Sequence, residues 1–218
     1  DQYVAKDVFG LELGYYNGDY TPVADDSKAL LSSNNSTYGI EDESGASLYN
    51  GNIAFRLSEL PADGKEVMTS TYRYDPLNRL KSMTSTINAQ TIATSNYVYD
   101  AGGNILELDR SGMNVNSVGQ FDKFSYFYTF GTNQLKQLKD GANQSIGSDI
   151  EGTHNYEYDK LGNLIKDTGA EIDEITWTLQ GKVKEIRRIQ GSEKPDLEFK
   201  YDALGNRQTK IIKYRDNS

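Results

Sequence analysis

Short stretches of period-two polarity separated by clusters of Asp, Asn and Gly run through most of the chain. In Tyr156-Glu157-Tyr158 the two aromatics share one face of an extended strand and the carboxylate takes the other. Asp159 can accept hydrogen bonds from N–H groups two residues on, and Gly162 can supply the positive φ that a tight turn needs. Asn163 can tolerate a similar conformation or cap the strand that returns as Leu164-Ile165-Lys166. The pattern predicts strand, turn and strand, a β-hairpin that is marginal alone and must stack against the next. No stretch carries a helical period over three turns, and even the aromatic segment from Asp122 to Tyr128 alternates with period two.

The hairpin recurs. Tyr72-Arg73-Tyr74-Asp75-Pro76-Leu77-Asn78-Arg79-Leu80, Tyr97-Val98-Tyr99-Asp100-Ala101-Gly102-Gly103-Asn104-Ile105, Tyr156 to Leu164, and Phe199-Lys200-Tyr201-Asp202-Ala203-Leu204-Gly205-Asn206-Arg207 share one pattern: aromatic-x-Tyr-Asp-x-x-Gly-Asn-x. A match at five fixed positions arises by chance on the order of once in 10⁶ starts, so several copies in one chain are a true repeat. Two decayed copies fill the gaps, Tyr126-Phe127-Tyr128-Thr129-Phe130-Gly131-Thr132-Asn133-Gln134-Leu135 and Thr176-Trp177-Thr178-Leu179-Gln180-Gly181-Lys182-Val183. Spacings of about 25, 29, 30, 20 and 23 residues imply a constant hairpin joined by loops of differing length. The expected fold is all-β, stacked antiparallel hairpin repeats forming a curved or spiralling sheet. Its turn residues are Asp75, Asn78, Asp100, Gly103, Asn104, Asp159, Gly162, Asn163, Asp202, Gly205 and Asn206. Its aromatic ladder is Tyr72, Tyr74, Tyr97, Tyr99, Tyr126, Tyr128, Tyr156, Tyr158, Trp177, Phe199 and Tyr201.

The first third is less regular. Asn-Gly turns in Phe9 to Tyr20 and in Leu48 to Leu57 suggest two divergent hairpins, separated by a polar surface loop at about 25–47. The expected organisation is thus residues 1–70 as divergent hairpins and 71–218 as one continuous repeat array.

Composition narrows the function. Among the 218 residues, 16 are Tyr and 20 Gly against 4 Pro, a supply suited to strands and turns. A net charge of −9 with no basic cluster argues against nucleic acid as a partner. No apolar run approaches the roughly 20 residues of a membrane helix, and the abrupt start at Asp1 suggests an excised fragment. With no cysteine, thiolate metal sites, disulfides and cysteine nucleophiles are excluded.

The Tyr-x-Tyr-Asp-x-x-Gly-Asn pattern, at residues 97–105 and 156–164 above all, resembles the tyrosine–aspartate (YD) repeat of the Rhs family. The resemblance covers about three-quarters of the chain, and Tyr49-Asn50-Gly51-Asn52-Ile53 is similar to a unit of Rhs-type proteins of the Bacteroidetes kind. It implies a strip of hairpins that spirals into a hollow shell, as in bacterial polymorphic toxins, toxin-complex C components and teneurins. The implied role is non-enzymatic: enclosing or displaying a toxin or effector module, with the rest of the parent polypeptide and that cargo as partners, secreted or at a bacterial surface. Family shells close with a C-terminal Asp-Pro-x-Gly segment that self-cleaves in some members. Asp75-Pro76 is followed by Leu77-Asn78 inside an ordinary repeat, so no protease role passes to it, and the chain reads as scaffold without cargo.

Other chemistry is weaker. The identical turn position of Asp75, Asp100, Asp159 and Asp202 favours capping over the paired carboxylates of a glycosidase. Asp167-Thr168-Gly169 imitates an aspartic-protease triplet, yet has no second copy in the chain and ends a return strand as Asp109 does. His154, the lone histidine, cannot build a histidine zinc site and is expected on the surface or in a loop. Glu41-Asp42-Glu43 lacks calcium-loop spacing, and Gly102-Gly103 lacks the Lys-Ser/Thr of a phosphate loop, so no metal or cofactor is expected. Exposed Tyr and Trp rings along a sheet leave one alternative, a carbohydrate-binding or adhesion module.

Overall fold

The structure, a computed structural model, describes residues 10–16, 19, 47–59, 67–114, 117–142 and 152–214. The polar stretch 25–46 and the Asn17-Gly18 turn lie outside them. Regular structure among the described residues is entirely β. The strands are β1 (Gly10–Gly14), β2 (Phe55–Glu59), β3 (Val67–Tyr74), β4 (Leu80–Ile87), β5 (Gln90–Tyr99), β6 (Ile105–Asn114) and β7 (Ser117–Tyr128), then β8 (Leu135–Asp140), β9 (Thr153–Tyr158), β10 (Leu164–Asp167), β11 (Ile172–Trp177), β12 (Val183–Arg188), β13 (Asp196–Tyr201) and β14 (Arg207–Lys213). Each pairs with its chain neighbours in the order β1 to β14, and every register described is antiparallel. The chain is therefore the all-β array of stacked antiparallel hairpins that the alternation predicts.

Two compact units form, Asp1–Tyr99 with Glu107–Asp122, and Asp100–Leu106 with Lys123–Ser218. The division falls within β6 and β7.

In the first unit Ala54, Phe55 and Leu57 form a buried cluster with Leu48 and Val67 packed on it. Phe55 stands opposite Gly14 in the β1–β2 register, and a Cβ at Gly14 would fall within its ring. Phe121 covers Gly112 in the same way. In both pairs the ring occupies the space a side chain would need, and the glycine gains the apolar cover it cannot supply itself. Buried Ser70 and Ser85 satisfy each other across β3 and β4, Oγ to Oγ 2.8 Å. Asn88 and Ala89, both at positive φ (50° and 61°), make the two-residue link from β4 to β5.

In the second unit Phe124, Leu138, Ile172 and Ile175 are buried. His154, expected on the surface or in a loop, is instead a strand residue of β9 with 9% exposure. Its ring covers Gly169 in the β10–β11 turn, and its Nδ1 lies 3.2 Å from Asp167 Oδ1. The glycine opposite leaves room for an imidazole, and the carboxylate satisfies it, which is why a polar ring can be buried there.

Both units share one irregularity. In the hairpins β3–β4, β7–β8, β9–β10, β11–β12 and β13–β14 the register slips by one residue just after the turn, so the second residue of the return strand bulges. A bulge there adds twist at each turn.

Candidate functional site: the repeated turn and its aromatic donor

The repeated residues assemble at the turn end of each hairpin. Asp159 Oδ1 accepts the backbone N–H groups of Leu161 and Asn163, each at 2.9 Å, and Oδ2 accepts the Asn163 side-chain amide, also at 2.9 Å. Backbone bonds close the loop: Asp159 N–H to Asn163 O at 2.9 Å and Gly162 N–H to Asp159 O at 3.1 Å. Gly162 sits at φ +86°, a region that side chains enter only with strain. Asn163 is not in that region and acts through its amide. Asp202 makes the same set with Leu204 and Asn206, and Asp100 accepts both donors of Asn104, with Gly103 and Gly205 at φ +92° and +82°.

The turn at Asp75 is a variant. Asn78 takes the glycine place at φ +62°, as Asn can, and Arg79 takes the asparagine place, its Nε 2.6 Å from Asp75 Oδ2. The Arg79 guanidinium also lies over the Tyr99 ring, 4.6 Å from its centroid. These donors hold the turn carboxylates below their usual range. For Asp100 and Asp159 the side-chain amide of the asparagine leads, and for Asp202 the Asn206 backbone N–H. For Asp75 partial desolvation pushes upward but is outweighed by Arg79 and Leu77.

The second aromatic of each motif makes the link between hairpins. In the first unit the Tyr74 hydroxyl donates to Ile53 O at 3.0 Å and the Tyr99 hydroxyl to Leu80 O at 2.7 Å. In the second unit Tyr128 donates to Ile105 O (2.8 Å), Tyr158 to Leu135 O (3.0 Å), Trp177 Nε1–H to Leu164 O (2.8 Å) and Tyr201 to Val183 O (2.8 Å). The acceptor is always the residue that follows the preceding turn. Neighbouring turns also touch through their amides, Asn50 and Asn52 to Asn78 Oδ1 and Asn104 to Asn133 Oδ1. Burial raises the hydroxyl pKa of Tyr74, Tyr99, Tyr128 and Tyr158, and pushes Tyr156 to about 12 with help from the Asp167 charge.

The first aromatics stand two residues earlier on the same strands and pack by their rings. Tyr97 stacks with Tyr99 at 6.3 Å, Tyr126 meets Phe124 edge-on at 6.2 Å, Tyr156 lies beside His154 at 6.4 Å and Phe199 lies under the Arg207 guanidinium. Tyr72 occupies this place on β3. The two aromatic places thus differ in task, a division that the sequence pattern signals without explaining. The second is always Tyr or Trp, a donor, whereas Phe199 and Ile175 stand in the first. Asp167 ends β10, where its Oδ1 accepts the Ala170 N–H at 3.1 Å and meets His154.

No family model matches the chain, and no curated protein matches it. A solved structure does. The chain is similar to TcdB2-TccC3 without its hypervariable C-terminal region, at a TM-score of 0.47 and 14% identity. The match covers 77% of this chain and 10% of that one, so the chain spans about a tenth of that protein's length.

Proposed function

We propose that the chain is a structural, non-enzymatic stretch of a YD-repeat protein, whose hairpin array encloses or displays a toxin or effector module outside the cell or at a bacterial surface. The observation that carries this proposal is the use made of the repeated side chains. Each turn carboxylate is saturated by donors of its own turn, and each second aromatic is spent on the hairpin before it. A catalyst needs the opposite, an ionisable group poised toward a substrate. Asp167, whose sequence neighbours imitate a protease, spends its carboxylate on Ala170 and His154. In the open depression of about 340 Å³ between Glu157, Lys166, Asp173, Glu174 and Arg187, both cations are paired internally, Lys166 with Asp173 and Arg187 with Glu174.

A carbohydrate platform draws less support, because stacking on a sugar needs open ring faces and the second aromatics are half-buried. Limited proteolysis of the native polypeptide that carries this array tests the proposal. A resistant array with a second segment protected until the array is denatured is expected. Cleavage of that segment as fast in the native as in the denatured protein would overturn it, as would turnover of a peptide or glycoside lost in Asp167→Asn.

A further inference from the structure

The turn that leads into β2 differs chemically from the repeat turns. Its asparagine, Asn50, is followed by Gly51 and both are exposed, whereas Asn78, Asn104, Asn163 and Asn206 are followed by Arg79, Ile105, Leu164 and Arg207. Asn50 Oδ1 accepts the Asn52 N–H at 3.1 Å, which folds the carboxamide over the peptide bond to Gly51. A backbone N–H can only donate, so it fixes which end of the amide is oxygen. The other end, Nδ2, donates to Asn78 Oδ1 at 2.8 Å, and Asn52 Nδ2 donates to the same oxygen at 3.1 Å.

These contacts set up a reaction within the chain. The Gly51 nitrogen has no side chain beside it, a Cβ there would meet nothing within 4 Å, and no hydrogen bond holds its N–H among the described residues. Once solvent base removes its proton, the nitrogen can attack Asn50 Cγ. The N–Cγ bond forms, the Cγ–Nδ2 bond breaks, and Nδ2 takes a proton from water and leaves as ammonia, closing a succinimide ring. Water then opens the ring, at Cγ to give aspartate or at the main-chain carbonyl to give an isoaspartyl link. Nucleophile and electrophile belong to adjacent residues, so little entropy is lost on the way. The repeat turns lack these conditions. A side chain crowds the nitrogen that follows each asparagine, and after Asn78 that N–H is bonded to Asp75 Oδ1 at 2.9 Å. The side-chain amides of Asn104, Asn163 and Asn206 are each held by a turn carboxylate.

We propose that Asn50 is a site of self-modification, converting through a succinimide with Gly51 to an acidic residue, and that the conversion cuts the link between this turn and the β3–β4 turn. The product presents only oxygens to Asn78 Oδ1, where an amide donated before, and adds a negative charge. Turning the Asn78 amide round would serve residue 50 but set its nitrogen against Asn52 Nδ2, so one of the two contacts is lost either way. The isoaspartyl form also lengthens the main chain by one carbon just ahead of Ile53, whose carbonyl receives the Tyr74 hydroxyl.

Incubation of the folded chain in mildly alkaline buffer, followed by mass mapping of tryptic peptides, tests the reaction. Residue 50 falls in peptide 29–56, apart from the other Asn-Gly pair, Asn17-Gly18, in peptide 7–28. Asn50 should take on the mass of an acid, partly as isoaspartate, at least about tenfold faster than Asn78, Asn104, Asn163 or Asn206. Asn50→Gln, which keeps an amide but would have to close a larger ring, should stay unmodified over the same time. Thermal melting reads the consequence. Asn50→Asp should lower the midpoint, and should lower it less once Asn78→Ala has removed the facing oxygen. Conversion of Asn50 no faster than that of the repeat asparagines, or equal conversion of Asn50→Gln, would overturn the site. An Asn50→Asp midpoint equal to that of the unaltered chain, or an equal drop with and without the Asn78 side chain, would overturn the loss of the link.

Discussion

Two turns of the second unit, Asp159–Asn163 and Thr178–Lys182, have the same backbone with different side chains. In both the first residue donates to the fifth (2.9 and 2.8 Å), the fourth donates back to the first (3.1 and 3.0 Å), and a glycine sits at positive φ (86° and 71°). The first turn adds three bonds to one carboxylate, whereas the second adds only Lys182 N–H to Thr178 Oγ1 at 3.1 Å. Both hairpins send a donor to the preceding one, Tyr158 in the first and Trp177 in the second. The glycine and the aromatic donor are thus what the hairpin requires, and the aspartate and asparagine reinforce it.

The most damaging way to test this is to make the shared element fail in both turns. Gly162→Val and Gly181→Val should each cost about 1–3 kcal/mol, because a β-branched residue is forced to positive φ in either turn. Urea denaturation that finds Gly181→Val harmless would separate the two turns. Next in size is the aromatic link. Tyr158→Phe removes a hydroxyl and leaves the Leu135 carbonyl without that donor, a loss of about 1 kcal/mol, whereas Tyr156→Phe should change stability by less than about 0.5 kcal/mol, Phe199 already filling that place. Equal midpoints for the two variants would contradict the division of labour between the aromatic places.

Smaller still is the carboxylate contribution. Asp159→Ala should lower the denaturation midpoint by more than Thr178→Ala does, since it removes three bonds against one. The pH dependence follows from the same contacts. The turn carboxylates titrate below their ordinary value of 3.8 when folded, so the unfolded chain binds protons first. Their stabilisation is complete above that value and is lost as the pH falls through the folded values. Asp159→Asn should therefore flatten the decline in midpoint as the pH falls below 3.8. The tyrosines act in reverse, with stabilisation complete below pH 10 and lost as the pH rises toward about 12, the folded value for Tyr156.

The sequence pattern was enough to read the repeat hairpins, the positive φ at Gly162 and Gly205, and the carboxylate that caps the Asp turns, because all three depend on neighbours within five residues. It did not read β2, which pairs with β1 and β3 where Leu48 to Leu57 suggested a hairpin of its own. What it hid depends on register between strands. Nothing local reveals that Phe55 roofs Gly14, or that His154 roofs Gly169 and is buried for that reason. The Asn88-Ala89 turn escaped because its second residue is not the Gly such turns favour. The donor role of the second aromatic was legible in principle, since only Tyr and Trp occur there. Its acceptor lies 13 to 23 residues earlier, in another hairpin.

That backward reach gives the array an order of assembly. Every ladder donor bonds to a carbonyl nearer the N-terminus, so on the ribosome its anchor has already been made when the aromatic emerges. Each hairpin can lock onto a finished predecessor without waiting for sequence still to come. Closure distances stay short however many hairpins are added. A chain built this way lengthens by accretion, and its length is set by how many times the motif is copied.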